Sequence, residues 1–442
     1  MISYKYVKMT SNYIYNNDTI IFDSKFDELL DIDLISKYNK IIFTNFKLDE
    51  DLFDRYNKYY KYETFIENDK YYDNVYFLKN FVYRESKFNY PISYLPENIT
   101  HIFFGHEYNQ NVDNLHSKNC LSDNKNSCIC CNLSHLTFGY RFNKSVNKLP
   151  RKITHLIFGS NFNQSVNSLP INLIYLKLGY NFNEILYSLP LSLLNLNFGY
   201  IFNKPIDYNY LPQKITHLNF GYTFNQSVNK LPLKLIYLIF GNNFNKSVNN
   251  LPLDLIYLIF GDYFNQPVDN LPSNITYLYF GENFNQSVNN LPSNITHLKF
   301  GFNFNQSINN LPNSMTHLTI GYNFNTHILN LPMKIKYLKI NCQKNSIIDS
   351  LNDGIEELEF GGHFNMELSN LPTSIKKITF ERFSVYEYEL NNLPKFIEII
   401  NLPTNYCKKI YHLPKSLKKI ICSKNYPHIS DFVSNNIYVV TY

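Results

Sequence analysis

The chain has 442 residues, a formal charge of +5, and neither tryptophan nor alanine. So small a charge over this length argues against a nucleic-acid-binding protein, which would concentrate basic residues on one face. No run of 18 or more apolar residues occurs, so no membrane-spanning helix and no membrane partner are expected. The opening MISYKYVKMTSNYIYNN lacks the apolar core of a secretory signal, and the expectation is a cytoplasmic protein.

Residues 1–94 hold no regular repeat. Two apolar segments stand out, TIIFDSKF from Thr19 to Phe26 and KIIFTNF from Lys40 to Phe46, with Phe22 and Phe43 21 residues apart. Helical spacing is present around Phe26 to Lys37 and around Asp49 to Tyr62. The segment reads as an N-terminal cap of diverged turns and short helices, which a solenoid needs to cover its first apolar face.

A 20-residue period begins at Leu95 and is clearest from Leu231 to Asn250, LPLKLIYLIFGNNFNKSVNN, and in the three copies that follow. A fixed period in this range marks a solenoid. With the Leu of Leu-Pro as offset 0, Pro is at offset 1, Ile or Leu at 4, Leu at 7, Phe at 9, Gly at 10, Phe at 13, Asn at 14, and Val or Ile at 17. Apolar residues two apart at offsets 7 and 9 predict a strand with one buried face. Stacked copies then make a parallel sheet with a shared core. Gly at offset 10 suits a corner that needs positive φ or close backbone approach. Pro at offset 1 cannot donate to a ladder and belongs on the opposite wall, predicted as extended chain or short 3₁₀ turns. Counting from Leu95 gives about 16 turns, a stack on the order of 75 Å at ~4.8 Å per strand.

Phe at offset 13 reads as a buried stack. The Asn beside it recurs at Asn143, Asn163, Asn183, Asn203, Asn225, Asn245, Asn265, Asn285, Asn305 and Asn325. A polar side chain repeated beside a core aromatic should bond to turn backbone and to its neighbours, giving a structural ladder; a row of ligands is the alternative. The composition favours residues with AT-rich codons, so the Asn count alone carries no functional weight.

The second turn is interrupted by HSKNCLSDNKNSCICC, residues 116–131, expected to loop out. Cys120, Cys128, Cys130 and Cys131 within it are a weak zinc candidate. Their C-x₇-C-x-C-C spacing departs from the usual zinc pairs, and an incidental thiol-rich loop is the favoured reading. Seven cysteines without regular spacing suggest reduced thiols. Beyond Leu371 the Phe-Asn pair vanishes while Leu-Pro persists, residues 393–442 read as diverged turns and a cap, and the lysines of these last turns (Lys376, Lys377, Lys408, Lys409, Lys415, Lys418 and Lys419) read as a solvated face.

Offsets 6 and 8 must project from the sheet face. Offset 6 holds His101, His135, His155, Tyr175, Asn195, His217, Tyr237, Tyr257, Tyr277, His297, His317 and Tyr337. At ~4.8 Å per strand this is a continuous stripe of Tyr and His, and Tyr is favoured at interface hot spots. The bland alternative is that the rings stack on one another and shield the sheet. Offset 8 varies from turn to turn. The partner-binding candidates are His155, Tyr175, His217, Tyr237, Tyr257, Tyr277, His297, His317 and Tyr337. No P-loop, Rossmann glycine motif, nucleophile elbow or H-E-x-x-H occurs, so neither an enzyme nor a cofactor is expected.

The Phe-Asn pair with Val or Ile three residues on, followed by Leu-Pro, resembles the FNIP repeat family, which is itself similar to leucine-rich repeats. The resemblance covers roughly Leu95 to Asn392. It implies a leucine-rich-repeat-like curved solenoid of the kind found in amoebae and large DNA viruses, the host cytoplasm as the location if viral, and no enzymatic activity in the repeat. Some family members carry an F-box. Residues 1–94 could accordingly dock a ubiquitin-ligase adaptor, although they lack an opening Leu-Pro and a clear apolar helical pattern. The expected fold is therefore a mainly β repeat solenoid: a curved parallel sheet of about 20-residue turns with irregular terminal caps. The expected function is a non-enzymatic scaffold that binds a protein partner along the concave sheet face. A substrate receptor of a ubiquitin ligase, or a structural protein without a specific ligand, are the alternatives.

Overall fold

The structure is a computed structural model that describes residues 13–15, 17–43, 86–117, 131–343 and 345–442. It is a parallel β-solenoid of about 18 turns of about 20 residues. The chain gathers into two compact units, residues 1–215 and 216–442.

In the first unit, β1 (Tyr13–Tyr15) runs antiparallel to β2 (Thr19–Phe22). From β2 onward every pairing is parallel: β3 (Lys40–Phe43), β4 (His101–Phe103), β5 (His135–Thr137), β6 (His155–Ile157), β7 (Tyr175–Lys177) and β8 (Asn195–Asn197). Phe22 pairs with Phe43, so the two apolar segments of residues 1–94 are sheet turns. The helical spacing after Phe26 yields only α1 (Ile32–Ile35), capped by the Asp31 carboxylate. The segment from Asp49 to Tyr62 and most of the region in which an adaptor-docking module would lie fall outside the described residues.

The second unit continues the pattern with β9 (His217–Asn219), β10 (Tyr237–Ile239), β11 (Tyr257–Ile259), β12 (Tyr277–Tyr279), β13 (His297–Lys299), β14 (His317–Ile320), β15 (Tyr337–Ile340), β16 (Glu357–Phe360), β17 (Lys377–Phe380), β18 (Ile399–Asn401), β19 (Lys419–Cys422) and β20 (Tyr438–Thr441). Two short helices interrupt it, α2 (Asn345–Asp349) and α3 (Ile429–Ser434), the latter packed against β20. Each offset aligns with itself across neighbouring strands, as in Tyr237 with Tyr257 and Leu238 with Leu258.

Each strand is only three or four residues long because two β-turns consume the rest of the repeat. The N–H at offset 4 donates to the carbonyl of the Leu-Pro proline, as Ile153 does to Pro150 at 3.2 Å. The N–H of the offset-13 Phe donates to the Gly carbonyl, as Phe162 does to Gly159 at 3.3 Å. The return wall is therefore turn and extended chain rather than 3₁₀ helix; the one 3₁₀ segment among the described residues is at Tyr208–Tyr210, where two extra residues enter. Close approach accounts for the glycine column. None of these glycines has positive φ, but a Cβ on Gly261 would run into the carbonyl oxygen of Gly241 one turn below.

The core is a double column of phenylalanines. Offset 9 stacks on offset 13 within a turn, as in Phe240 and Phe244 at 3.8 Å between ring centroids. Each column also stacks on itself between turns, with Phe240 and Phe260 at 5.5 Å and Phe244 and Phe264 at 6.0 Å. The column continues after the Phe-Asn pair ends. Tyr386, Tyr406 and Tyr426 follow Phe364 at spacings of 6.2, 6.2 and 6.0 Å, and Tyr108 occupies the same place between Phe88 and Phe142. Tyr406 and Tyr426 send their hydroxyls to the carbonyls of Tyr388 and Lys408. In the turn that lost Phe and Gly, buried Ile347 and Ile348 from α2 supply apolar bulk instead.

Phe264 is fully buried against three other rings. Phe264→Ala is expected to destabilise the second unit by about 3–5 kcal/mol, read as a lower urea midpoint. Gly261→Ala should destabilise it as well, because the clashing partner is backbone and cannot move aside.

Candidate functional site

The offset-6 side chains line the solvent face of the sheet because offset 7 between its neighbours is committed to the core; Leu238, Leu258 and Leu278 are fully buried. In the first unit His101, His135 and His155 stack face to face at 4.1 and 4.3 Å, and Tyr175 follows at 5.9 Å. In the second unit His217, Tyr237, Tyr257, Tyr277, His297 and His317 form one continuous stack at 4.0–4.3 Å. Tyr337 joins it at 5.6 Å. All these residues are half-buried. Their ring faces are spent on one another, so it is ring edges and polar tips that meet solvent. Each unit thus brings its own candidate residues into one line. The flanking offset-8 positions differ along that line, with Ile239, Ile259 and Tyr279 giving way to Lys299 and Thr319.

Every histidine of the stripe follows a Ser or Thr, and that hydroxyl lies 2.8–2.9 Å from its Nδ1 in the pairs Thr100–His101, Ser134–His135, Thr154–His155, Thr216–His217, Thr296–His297 and Thr316–His317. The pairing fixes each imidazole plane for stacking. It was visible in the sequence as a repeated Thr-His dipeptide, a signal that reading by single columns passes over. Burial disfavours the charged form, so the pKa of His101 and of His217 falls to about 4 and that of His135 to about 3.

Beyond Tyr337 the face closes with ion pairs. The Tyr337 hydroxyl donates to Glu359 at 2.7 Å, and Lys339 bridges Glu359 and Glu381 at 2.8 and 2.7 Å. Glu356 accepts from Lys336 and Lys376, both at 2.8 Å, which holds its carboxyl down to about 2. Among the lysines read as a solvated face, Lys376, Lys377, Lys409 and Lys418 all have carboxylate partners.

The asparagine column is a ladder of hydrogen bonds between turns. The backbone N–H of each Asn donates to the side-chain Oδ1 of the Asn one turn earlier: Asn163 to Asn143 at 3.0 Å, Asn183 to Asn163 at 2.9 Å and Asn203 to Asn183 at 3.0 Å in the first unit. The second unit repeats this from Asn245 on Asn225 to Asn265, Asn285, Asn305 and Asn325, at 2.7–3.0 Å. These amides satisfy turn backbone. A second ladder runs at offset 3, where Asn or Ser donates to a carbonyl of the preceding turn, as Asn274 does to Leu253 and Asn294 to Ser273, both at 3.0 Å.

Of the metal candidates, Cys120, Cys128 and Cys130 lie outside the described residues, and Cys131 is buried with its sulfur 2.9 Å from the Ser117 N–H. Among the described residues no group of three or more His, Cys, Asp or Glu is placed to hold a metal ion. No helix of the described residues is long and apolar enough to cross a membrane.

One short strand per turn, an apolar consensus and an inter-turn asparagine ladder define a leucine-rich-repeat-like solenoid. The FNIP Repeat family model matches residues 162–201, 202–243, 244–283, 264–303, 284–323 and 304–343, and residues 162–343 are FNIP repeats. Among solved structures, the chain is similar to the giant-virus protein CroV588, titled a novel circular LRR protein structure. The two are 28% identical, the match covers 94% of this chain and 77% of that one, and the TM-score is 0.54. YopM from Yersinia enterocolitica WA-314 also matches, at 15% identity over 84% of this chain and 99% of its own, with a TM-score of 0.38. No curated protein matches.

Removing one ladder amide tests its structural weight. Asn265→Ala leaves the Asn285 N–H and the Gln286 side chain without their acceptor, and should cost about 1–3 kcal/mol in urea unfolding. Asn265→Asp keeps the acceptor oxygen and should cost less.

Proposed function

We propose that the protein is a non-enzymatic interaction scaffold that takes a protein partner on its sheet face, centred in the second unit on β10 to β12. One observation carries the reading. Offset-8 residues Ile239, Ile259 and Tyr279 stand half-exposed beside Tyr237, Tyr257 and Tyr277, with Ile236 and Ile256 half-exposed just before the strands. A sheet with one face on the core ordinarily turns polar residues to water on the other, and a contiguous exposed apolar patch marks an interaction surface. The rings beside it are stacked on one another, so a partner meets a preformed surface and little side-chain entropy is lost on binding. Leucine-rich-repeat-like solenoids are typical protein-interaction scaffolds, which supports the same reading.

The test compares the wild type with two variants, Ile239→Lys with Ile259→Lys, and Tyr237→Ser with Tyr257→Ser and Tyr277→Ser, each first shown to keep the wild-type circular dichroism. Affinity capture from the native cytoplasm followed by mass spectrometry should return a partner with the wild type that both variants lose. An identical partner list from all three would place function away from this face. An empty list from all three would favour a structural protein without a specific ligand.

A further inference from the structure

The first unit holds three consecutive stacked imidazoles, where the second unit stacks at most two. His101, His135 and His155 lie ring on ring at 4.1 and 4.3 Å. On the side of β3 the stack meets Lys40, the register partner of His101, which is held by Asp18 at 3.2 Å. On the other side β7 contributes Tyr175 and Lys177. The offset-8 neighbours along the stack are Phe103, Thr137 and Ile157. No carboxylate lies on β4, β5, β6 or β7, and Asp18 is already engaged by Lys40 and by the Thr19 hydroxyl. Neutral imidazoles stack comfortably at this spacing. Two charged ones would face each other at about 4 Å beside an ammonium group, a like-charge arrangement disfavoured even at a high effective dielectric.

We propose that the His101–His135–His155 stack is an acid-operated release point: protonation drives these rings apart and loosens the turns of β4 to β6 ahead of the turns whose columns are tyrosine. The direction follows from linkage. An opened turn binds protons with the ordinary histidine affinity, whereas burial and Lys40 depress protonation of the closed stack. Opening therefore takes up protons. The turns are fully stable above the unfolded histidine value of 6.5 and lose stability as pH falls from there toward about 4 for His101 and about 3 for His135. The second unit supplies the internal reference, because β10 to β12 carry Tyr237, Tyr257 and Tyr277 in the same column.

Hydrogen exchange of the full chain, followed by mass spectrometry near neutral pH and near pH 4.5 and expressed as protection factors, reads this directly. Peptides covering β4 to β6 should lose protection by about tenfold or more on acidification, one pKa unit of depression corresponding to one decade, while peptides covering β10 to β12 change less. His101→Tyr with His135→Tyr and His155→Tyr installs the residue that the column uses elsewhere and should abolish the selective loss. Should that triple variant fail to fold, Lys40→Gln serves in its place; it removes the nearby cation and should reduce the loss. Equal loss of protection in both peptide sets would overturn the proposal, as would an undiminished loss in the folded triple variant, or in Lys40→Gln where that variant is the one used.

Discussion

Within each unit the structure depends on how closely one turn can be laid upon the next. The parallel ladder fixes the strand spacing, and at that spacing the corner after each strand brings backbone against backbone. Gly261 meets the carbonyl of Gly241 there, and only a hydrogen fits between them. Once that contact is made, the offset-9 and offset-13 rings fall into register at 3.6–4.2 Å within a turn. The asparagine Oδ1 comes within reach of the next turn's N–H, and the offset-6 rings stack on the outer face. Each column is stacked or bonded because the spacing between turns leaves it little alternative.

Much of this was legible in the sequence because a repeat reports the same constraint many times. The buried Phe column, the strand at offsets 6 to 8 and the position of the stripe follow from period and alternation alone. What the sequence left open was geometric. Glycine at offset 10 suited either positive φ or close approach, and only the neighbouring turn decides between them. The helical spacing after Phe26 shrank to a single turn at α1, since Thr19–Phe22 and Lys40–Phe43 claim the ends of that stretch for the sheet. The Phe-Asn pair ends at Phe364, but the ring column does not. Tyr386, Tyr406 and Tyr426 keep it going, because a phenol fills the same space, and Tyr406 and Tyr426 also send their hydroxyls to turn carbonyls.

The stripe differs between units in what it can do. In the second unit tyrosines dominate and aliphatic neighbours broaden the surface, which suits a preformed contact for a partner. In the first unit histidines dominate at one end, on strands that carry no carboxylate and beside the Lys40–Asp18 pair, which suits sensitivity to protons. Both sets of residues occupy the same offset and share the same stacking, so the repeat provides a common frame in which individual turns are given separate chemistry.

The hydroxyl before each stripe histidine couples offsets 5 and 6 of the repeat. No imidazole in the column lacks a preceding Ser or Thr, yet Thr276 precedes Tyr277, and Ile precedes Tyr175, Tyr237 and Tyr257. A hydroxyl is thus tolerated without the imidazole, while the imidazole is not found without the hydroxyl. An imidazole placed in this column after isoleucine would lack the hydroxyl that every stripe histidine has at its Nδ1. The working unit on this face is therefore a pair of adjacent residues, one to orient and one to stack.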